Sequence, residues 1–522
     1  MTDDTRLPTA DYLSDAANFP DGHAAGIVFP RTTPDVVDAV TTSASLLPVG
    51  AQSSLTGGAT PMGEVVLATT KMARILDVRP GRVTVEPGVT VAAMQDRLTE
   101  AGAWFPPAPT FTGACAGGIV ATNAAGAATF KYGSTRDWVE ALTVVLTDGT
   151  VLELHRGARR ARDGRLDVET RHGHVSIPVP TYRMPQVAKR SAGYYAAPDM
   201  DLIDLFIGSE GTLGVITQIT FRTLAPAPNI VLAWIPCATE AQGLALVTAL
   251  RDASMATWRT GTADGVDACA IEHMDRRSLA IVREDGADKR HHVIIPDGSE
   301  LALLVQLELS PETDAARAFG DIQESLSQEP FEGAGRGSAL ASFCQLLDGA
   351  GVLAEAELAL PGDRRRAADL LAIREAVPAG VNQRISIAKR TIDQRIEKTA
   401  GDMVVPFARC GEMMALYRRA FEARGLHYAI WGHLSDGNVH PNVIARSYDD
   451  VVKGKEAMLE FGRDVARLGG CPLAEHGVGR NPVKQELLRQ LYGDGGIDEM
   501  RAVKRALDPG NRLAPGVIFP KR

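Results

Sequence analysis

Two histidines and a later glutamate–histidine pair have the residue types and spacing that metal chemistry needs. His433 and His440 lie in HYAIWGHLSDGNVHPNVIA, on either side of a turn that residues 435–438 would form. Two strands joined by such a turn bring both imidazoles to one side, where they could share an ion. Glu475 and His476 end a later apolar run and offer a carboxylate and a third imidazole. This set is typical of a catalytic metal site, and the alternative is that both hairpin histidines are ordinary hydrogen-bonded turn residues.

A stretch of small residues from Pro106 to Gly133, PPAPTFTGACAGGIVATNAAGAATFKYG, carries no charge before Lys131. Such residues let a backbone approach a large ligand, and a glycine backbone can direct N–H groups at an anion. A second loop, Gly50–Gly58, adds hydroxyl groups that suit a pyrophosphate. We interpret both as parts of a dinucleotide site, with glycine-rich turns in a packed core as the alternative. The GxGxxG pattern and its acidic ribose ligand are missing, so a Rossmann unit is not favoured.

Length and composition exclude several classes of protein. A chain of 522 residues is too long for one hydrophobic core, which predicts two or more domains. Its net charge of −9 argues against nucleic acid as a partner, because nucleic-acid binders carry a basic face. Six widely separated cysteines without a CxxC pair indicate reduced thiols. The acidic N-terminal stretch predicts no signal or transit peptide, and no apolar run reaches the roughly 18 residues of a transmembrane helix.

Hydrophobic patterning in the first half predicts the elements that must hold the small-residue loops. A helix beginning at Thr33 and Pro34 is expected between two strands, because proline suits the first helical turn. A second helix is expected from about Thr90 to Ala101, and a hairpin turn at Asp148 and Gly149. The basic segment 156–172 is predicted to be a solvated excursion.

The second half of the chain differs from the first in composition and hydrophobic pattern. Residues 225–229, APAPN, have the composition of a linker. From Ile230 to about Ile444, β-like runs alternate with amphipathic helices, which predicts an α+β domain on an antiparallel sheet. Residues 363–398 carry nine basic and five acidic side chains, which an anionic substrate and a solvated helix face explain equally well. From Asp449 onward the pattern predicts helices around CPLAEHG.

Four motifs in order resemble the FAD-dependent D-2-hydroxyacid dehydrogenases of the vanillyl-alcohol-oxidase/p-cresol methylhydroxylase flavoprotein superfamily. They are PVGAQSSLTGG, GGIVATNAAGAATFKYGSTRDWVEALTVVLTDG, GSEGTLGVIT, and the pair HLSDGNVH and EHGVG. The resembling branch contains D-lactate, glycolate and D-2-hydroxyglutarate dehydrogenases. The resemblance implies an α+β fold with a two-subdomain FAD-binding domain, an α+β cap domain with an antiparallel sheet, and a C-terminal helical segment returning to the FAD domain. We place a lead-in at residues 1–20 and these parts at residues 21–226, 227–445 and 446–522.

The resemblance also assigns site residues by position. His433, His440 and Glu475 would hold a divalent metal, expected to be zinc with manganese or iron as alternatives. His476 would be the base, Arg374 would bind the substrate carboxylate, and Lys398 falls near a family lysine. The implied FAD ligands are Val49, Gly50, Ala51, Gln52, Ser53, Ser54, Thr56, Gly57, Pro107, Gly113, Ala114, Gly117, Gly118, Ala121, Asn123, Gly126, Tyr132, Gly133, Glu210, Gly211, Val215, Ile216 and Asn511.

Three positions depart from, or bear on, the family pattern. Ser435 stands where the family has a glycine before Asp436, and Pro378 stands where the hydroxyglutarate enzymes have a threonine. The second departure puts hydroxyglutarate specificity in doubt. No histidine lies between Gly50 and Gly58, where some superfamily members attach FAD covalently, so non-covalent FAD is expected.

The implied reaction is metal-assisted oxidation of a D-lactate-like 2-hydroxy acid to the 2-oxo acid, with hydride transfer from C2 to flavin N5. The electron acceptor is expected to be a quinone, a cytochrome or an electron-transfer flavoprotein. Three alternatives stay open: an oxidase using oxygen, a metal-dependent hydrolase without flavin, and a flavin-containing transferase. The expected location is cytoplasmic, with peripheral attachment to the inner membrane and a homodimer as further possibilities.

Overall fold

The computed structural model describes residues 10–107, 109–262, 264–326 and 338–520. Contacts divide the chain into two compact units. Unit 1 consists of the chain up to Gly126, Tyr132–Ala225 and the chain from Gly462 onward, and unit 2 consists of Ala127–Lys131 and Pro226–Phe461. The four-part division drawn from the sequence stays a prediction.

The strands of these ranges, in chain order, are β1 (Gly26–Val28), β2 (Leu46–Val49), β3 (Val65–Ala68), β4 (Ile75–Arg79), β5 (Arg82–Val85), β6 (Val139–Val145), β7 (Val151–His155), β8 (Arg165–Thr170), β9 (Gly173–Pro178), β10 (Val215–Arg222), β11 (Asn229–Cys237), β12 (Ala268–Asp275), β13 (Leu301–Leu309), β14 (Glu357–Ala359), β15 (Thr399–Ala400), β16 (Met403–Val404), β17 (Tyr428–His433) and β18 (Asn438–Val443). The α-helices are α1 (Thr33–Thr42), α2 (Val91–Glu100), α3 (Ala116–Ala121), α4 (Thr129–Tyr132), α5 (Ile203–Phe206), α6 (Glu240–Thr260), α7 (Arg276–Glu284), α8 (Ala287–Arg290), α9 (Ala315–Leu326), α10 (Ala339–Gly349), α11 (Arg364–Thr391), α12 (Cys410–Ala423), α13 (Tyr448–Arg467) and α14 (Pro482–Leu507). Gly493 interrupts α14 with a non-helical backbone.

Unit 1 contains a three-stranded parallel sheet and a five-stranded antiparallel sheet. The parallel sheet has the order β1-β3-β2, and α1 connects its two outer strands. Thr32 caps α1 by accepting the Asp35 N–H, one residue before the predicted start, and Pro34 lies in the first turn. Val36 and Val40 on the inner face of α1 belong to one buried apolar cluster that also holds strand residues of both sheets. Burial of this helix face therefore joins the two sheets.

The antiparallel sheet of unit 1 has the order β4-β5-β10-β6-β7. Its β6–β7 hairpin confirms the turn predicted at Asp148 and Gly149, and α2 confirms the helix predicted after Thr90. The predicted solvated excursion differs from the structure, because β8 and β9 pair there as an antiparallel ribbon. Leu166 and Val168 alternate with charged residues along β8 and are buried, which gives the ribbon one apolar face.

The C-terminal residues return to the first strands of unit 1. Arg512 O accepts the Leu46 N–H at 2.8 Å, and Ala514 donates its N–H to Leu46 O at 2.7 Å. Ile518 donates to Gly479 O at 2.8 Å, and Pro515 O accepts from the buried Arg480 guanidinium at 2.6 Å. Residues 512–518 therefore close unit 1 around the segment that follows His476.

Unit 2 is built on an antiparallel sheet with the strand order β14-β11-β13-β12-β17-β18-β15, and β16 also pairs with β18. β11 and β13 are buried along nearly their whole length, because α6, α10 and α11 pack on the sheet. The predicted α+β domain with an antiparallel sheet is confirmed. Over the ranges given above, every helix is either too short or too polar to span a membrane.

Candidate active site

A cavity of about 310 Å³ in unit 1 is lined by the loop after β2, by α3 and by the turn before β10. The predicted FAD ligands that line it are Val49, Gly50, Ala51, Gln52, Ser53, Ser54, Ala114, Gly117, Gly118, Ala121, Glu210, Gly211, Val215 and Ile216. The predicted ligands outside its lining are Thr56, Gly57, Pro107, Gly113, Asn123, Gly126, Tyr132, Gly133 and Asn511. Sequence reasoning missed other wall residues, among them Pro87, Phe111 and Cys115.

Two adjacent glycines of α3 have different reasons to lack a side chain. A Cβ on Gly118 would meet nothing within 4 Å, so this glycine keeps part of the cavity open. A Cβ on Gly117 would lie 2.7 Å from Pro87 Cβ, which is too close for a real contact. Gly117 therefore lets α3 pack on Pro87, while Gly118 leaves room for a ligand.

The loop after β2 presents backbone donors to the same cavity. Gln52 has a left-handed φ of 51°, and its side-chain amide donates to Tyr12 O and Ala59 O, which fixes the loop. Within the described ranges, the N–H groups of Gln52, Ser53 and Ser54 have no hydrogen-bond acceptor. These three residues line the cavity, and backbone N–H groups without an intramolecular acceptor suit the pyrophosphate of a dinucleotide. The open wall at Gly118 and these donors both fit FAD.

Glu210 ties the turn before β10 to the segment after His476. Its two carboxylate oxygens accept the N–H groups of Val478 and Gly479, each at 2.8 Å. Burial raises the pKa of Glu210 to about 7, although both N–H donors act to lower it. Its left-handed φ of 51° marks a turn held by these contacts. Glu210 thus supports the cavity wall as well as lining it.

Glu475 and His476 also line the cavity of unit 1. Glu475 Oε2 lies 3.1 Å from Lys189 Nζ, and Glu475 Oε1 lies 3.5 Å from His476 Nε2. The Lys189 side chain is fully buried. Ser191 fixes the lysine segment by donating its N–H to Leu473 O at 3.0 Å and its hydroxyl to Thr122 O at 2.9 Å. Sequence reasoning missed Lys189, because nothing near it in the chain shows the partner.

In unit 2, His433 and His440 lie on the two strands of the β17–β18 hairpin, as predicted. Both are buried, and their ring centroids are 5.7 Å apart. The turn between the strands contains Ser435, and Gly437, with a φ of 86°, takes its left-handed position. Ser435 also accepts the Ile271 N–H at 3.2 Å, which attaches the turn to β12.

Glu272 on β12 joins two of the predicted site residues. Its Oε2 accepts from Arg374 Nε at 2.9 Å, and its Oε1 makes a short hydrogen bond with His433 Nδ1. Burial would raise the pKa of Glu272, but the charges of Arg374 and His433 hold it well below its ordinary value. Sequence reasoning missed Glu272, although a charged residue in the apolar run ACAIEHMD was a usable signal.

The remaining predicted residues have different surroundings. His440 Nδ1 lies 3.7 Å from Asp402 Oδ1. Lys398 is exposed and directly precedes β15. Pro378 lies inside α11, one turn after Arg374. The structure thus joins Arg374 to His433 through Glu272 in unit 2, and it places Glu475 beside His476 in unit 1.

The cavity fits a dinucleotide cofactor, and comparison with known proteins identifies the class as the flavin-dependent oxidoreductases. The family described as "FAD binding domain" matches residues 24–155, and the family described as "FAD linked oxidases, C-terminal domain" matches residues 239–518. The second match covers more than half of the chain. The chain therefore belongs to the FAD-linked oxidases, and the expectation of FAD is confirmed. A flavin-free hydrolase is excluded by this membership.

Several curated proteins are similar over most of their length. Glycolate oxidase subunit GlcD of Bacillus subtilis is 26% identical over 99% of this chain and 94% of its own. D-2-hydroxyglutarate dehydrogenase of Bos taurus is 26% identical over 100% and 81%, and D-lactate dehydrogenase of Archaeoglobus fulgidus is 27% identical over 90% and 85%. A solved structure of alkyldihydroxyacetonephosphate synthase shares the fold, with a TM-score of 0.59 and 15% identity over 95% of this chain and 77% of that one.

Proposed function

We propose that this protein oxidises a D-2-hydroxy acid of the D-lactate type to the corresponding 2-oxo acid, with FAD as cofactor. The observation that carries the proposal is the buried Arg374–Glu272–His433 arrangement of unit 2. It combines a guanidinium for a carboxylate with an imidazole for a metal, in a chain that belongs to the FAD-linked oxidases. The names of the relatives, which include D-lactate dehydrogenase, favour the same substrate class.

Arg374 is proposed to bind the substrate carboxylate. Its Nε is held by Glu272, and its Nη1 donates to Glu375 Oε1 at 3.1 Å. These two contacts fix the plane of the guanidinium before substrate arrives, which lowers the ordering cost of binding. Pro378, one turn further along α11, replaces the threonine of the hydroxyglutarate enzymes. We therefore favour a small substrate side chain over a second carboxylate.

A divalent metal is proposed to be held by His433 and His440, with Glu475 as the third ligand. Two buried imidazoles on one hairpin fit zinc, and manganese and iron accept the same donor types. The hydrogen bond that His433 Nδ1 donates to Glu272 would leave Nε2 as the ligand atom and fix the ring orientation. A bound metal would act as a Lewis acid on the substrate hydroxyl.

His476 is proposed to take the hydroxyl proton as the general base. Its Nε2 lies 3.5 Å from Glu475 Oε1, and the ring borders the cavity of unit 1. When bound, FAD supplies the acceptor for the hydride from C2. Lys398 is kept as a weaker candidate for substrate binding. The electron acceptor, the metal identity and the cytoplasmic location stay predictions.

The test is anaerobic reduction of the purified flavoprotein by single substrates. D-lactate, L-lactate, glycolate and D-2-hydroxyglutarate are added separately, with and without a chelator, while the visible flavin absorbance is recorded. We expect D-lactate or a close homologue to bleach the flavin, and the chelator to prevent it. A flavin that no 2-hydroxy acid reduces would contradict the proposed substrate class.

Two variants separate the proposed roles. His476→Ala should keep FAD and lose about 10²–10⁴-fold in the rate of flavin reduction, which is the usual cost of removing a positioned base. Arg374→Lys should mainly raise KM, because lysine cannot form the bidentate contact with a carboxylate. Normal flavin reduction by His476→Ala would remove this residue from the mechanism.

A further inference from the structure

The small-residue stretch of unit 1 is interrupted by five residues that fold with unit 2. We call residues 127–131 the strap. Ala125 lines the cavity of unit 1 just before the strap begins. Beyond the strap, Thr135 donates both its N–H and its hydroxyl to Ala124 O, at 3.0 Å and 2.8 Å. Hydrogen bonds between Thr135 and Ala124 therefore join the segments before and after the strap at the cavity wall.

Lys131, the first charged residue of the small-residue stretch, anchors the strap. Its Nζ lies 2.6 Å from Asp267 Oδ2 and 2.6 Å from Glu308 Oε2. The lysine side chain is 17% exposed and that of Glu308 is 6% exposed, so solvent screens the ion pairs little. Trp258 Nε1 donates to Asp267 Oδ1 at 2.8 Å, which fixes the first carboxylate.

Phe130 adds an apolar anchor beside this charged one. Its ring centroid lies 4.8 Å from that of Trp258, and the Arg251 guanidinium lies 4.4 Å from the Phe130 ring. The Glu308 N–H donates to Asp267 O at 2.9 Å, which holds the two carboxylate-bearing residues together. Without the Lys131 ammonium group, the carboxylates of Asp267 and Glu308 would face each other with no cation between them. The strap would then lose its charged attachment to unit 2.

We propose that Lys131 is a positioning residue for the FAD site: by fixing the strap to Asp267 and Glu308, it holds the cavity wall at Ala124–Ala125 in the form that binds flavin. Lys131 does not line the cavity. Its effect on flavin would pass through the backbone, which leaves unit 1 after Gly126 and returns at Tyr132. Flavin affinity thereby depends on three side chains of unit 2 outside the cavity lining, those of Lys131, Asp267 and Glu308.

The test is FAD release from the full-length holoprotein, followed by the fluorescence of free flavin on dilution. Lys131→Met should raise the dissociation constant for FAD by roughly 3- to 30-fold, the range of coupling between linked sites. Lys131→Arg keeps the charge and should restore affinity close to the original value. An unchanged dissociation constant in Lys131→Met would overturn the proposal.

Arg384→Met is the matched control. Arg384 also bridges two carboxylates of unit 2, with Nη1 2.8 Å from Asp285 Oδ2 and Nη2 2.7 Å from Glu284 Oε2. Its side chain is 23% exposed, which is close to the value for Lys131. We expect Arg384→Met to lower the melting temperature of the protein without changing FAD affinity. A comparable rise in the dissociation constant would show general weakening of unit 2 and would also overturn the proposal.

A milder pair of variants covers the case in which Lys131→Met does not fold. Glu308→Gln leaves the Lys131–Asp267 pair in place, and Asp285→Asn makes the equivalent change at Arg384. Weaker FAD binding in Glu308→Gln alone would support the strap as the cause. Equal FAD affinities in the two variants would contradict it.

Discussion

The ammonium group of Lys189 lies 3.1 Å from the Glu475 carboxylate, and the lysine side chain is fully buried within unit 1. A buried cation that loses its partner, or leaves its partner alone, costs far more than a surface pair. Lys189→Met should therefore lower the free energy of unfolding by about 3–5 kcal/mol. Chemical denaturation of the FAD-loaded protein measures this change.

A double variant distinguishes the ion pair from a packing effect of Lys189. Lys189→Met with Glu475→Leu removes both charges and should recover much of the loss, because no buried charge is left alone. The exposed pair Arg97–Glu100 serves as the reference, and Arg97→Ala should cost less than about 1 kcal/mol. A double variant as unstable as the sum of its single changes would argue against the pair.

A side chain at Gly118 should weaken FAD binding, whereas a side chain at Gly117 should lower the stability of the protein. Gly118→Leu places its side chain in open cavity space, so the apoprotein should stay stable while FAD affinity falls by roughly tenfold or more. Gly117→Ala forces α3 away from Pro87 and should cost about 1–3 kcal/mol of stability. Denaturation of the apoprotein and titration with FAD separate the two effects. Unchanged flavin binding in Gly118→Leu would place the cofactor elsewhere.

Glu272 should control metal affinity through His433. Glu272→Gln loses the carboxylate that orients the imidazole, so affinity for zinc or manganese should fall by about 10–100-fold. Glu375→Gln is the matched control, because Glu375 contacts the same Arg374 at the surface. Competition with a chromophoric chelator measures both variants. Equal affinities in the two would remove Glu272 from the proposed metal site.

His273 should make unit 2 sensitive to acid. Burial, and then the nearby Arg418, lower the pKa of His273 from 6.5 to about 4, although Glu272 acts to raise it. Between these values the unfolded chain binds the proton and the folded chain does not, so stability is complete above pH 6.5 and is lost as the pH falls towards 4. The loss has an upper limit of about 3 kcal/mol.

Denaturation curves at pH 7 and pH 4 test this, with His273→Gln as the variant. The variant should lose less stability than the parent over this interval, because glutamine does not titrate. His174→Gln is the control. Glu169 raises the pKa of this exposed histidine, so its contribution to stability changes with pH in the opposite direction. An identical pH dependence in the parent and in His273→Gln would contradict the assignment.

The features that sequence predicted best are those fixed by short-range chemistry. The β17–β18 hairpin with His433 and His440 follows from its turn residues, and α2 follows from its cap at Thr90. The antiparallel sheet of unit 2 follows from the alternation of β-like runs and amphipathic helices. The hairpin and α2 depend on residues close together in the chain, so one sequence is sufficient for them. The strand order of the sheet, in which β12 pairs with β17, does not follow from any local pattern.

The features that sequence missed depend on distant partners. Glu272 contacts Arg374 and His433, and Lys189 contacts Glu475. These partners are distant in the chain, and no local pattern connects them. Glu210 was predicted as an FAD ligand, and its contacts with two backbone N–H groups were not foreseeable from residue types. The β8–β9 ribbon was missed because dense charge along β8 concealed its alternating apolar residues.

The closure of unit 1 by residues 512–518 bears on how the protein is made. Arg480 and the turn at Gly479 take some of their hydrogen bonds from Pro515 and Ile518, and Leu46 of β2 takes two from Arg512 and Ala514. During synthesis on the ribosome these partners emerge after all of unit 2. The hydrogen bonds that fasten β2 and the turn at Gly479 can therefore form only after unit 2 has been synthesised, so unit 1 is expected to complete its fold later than unit 2.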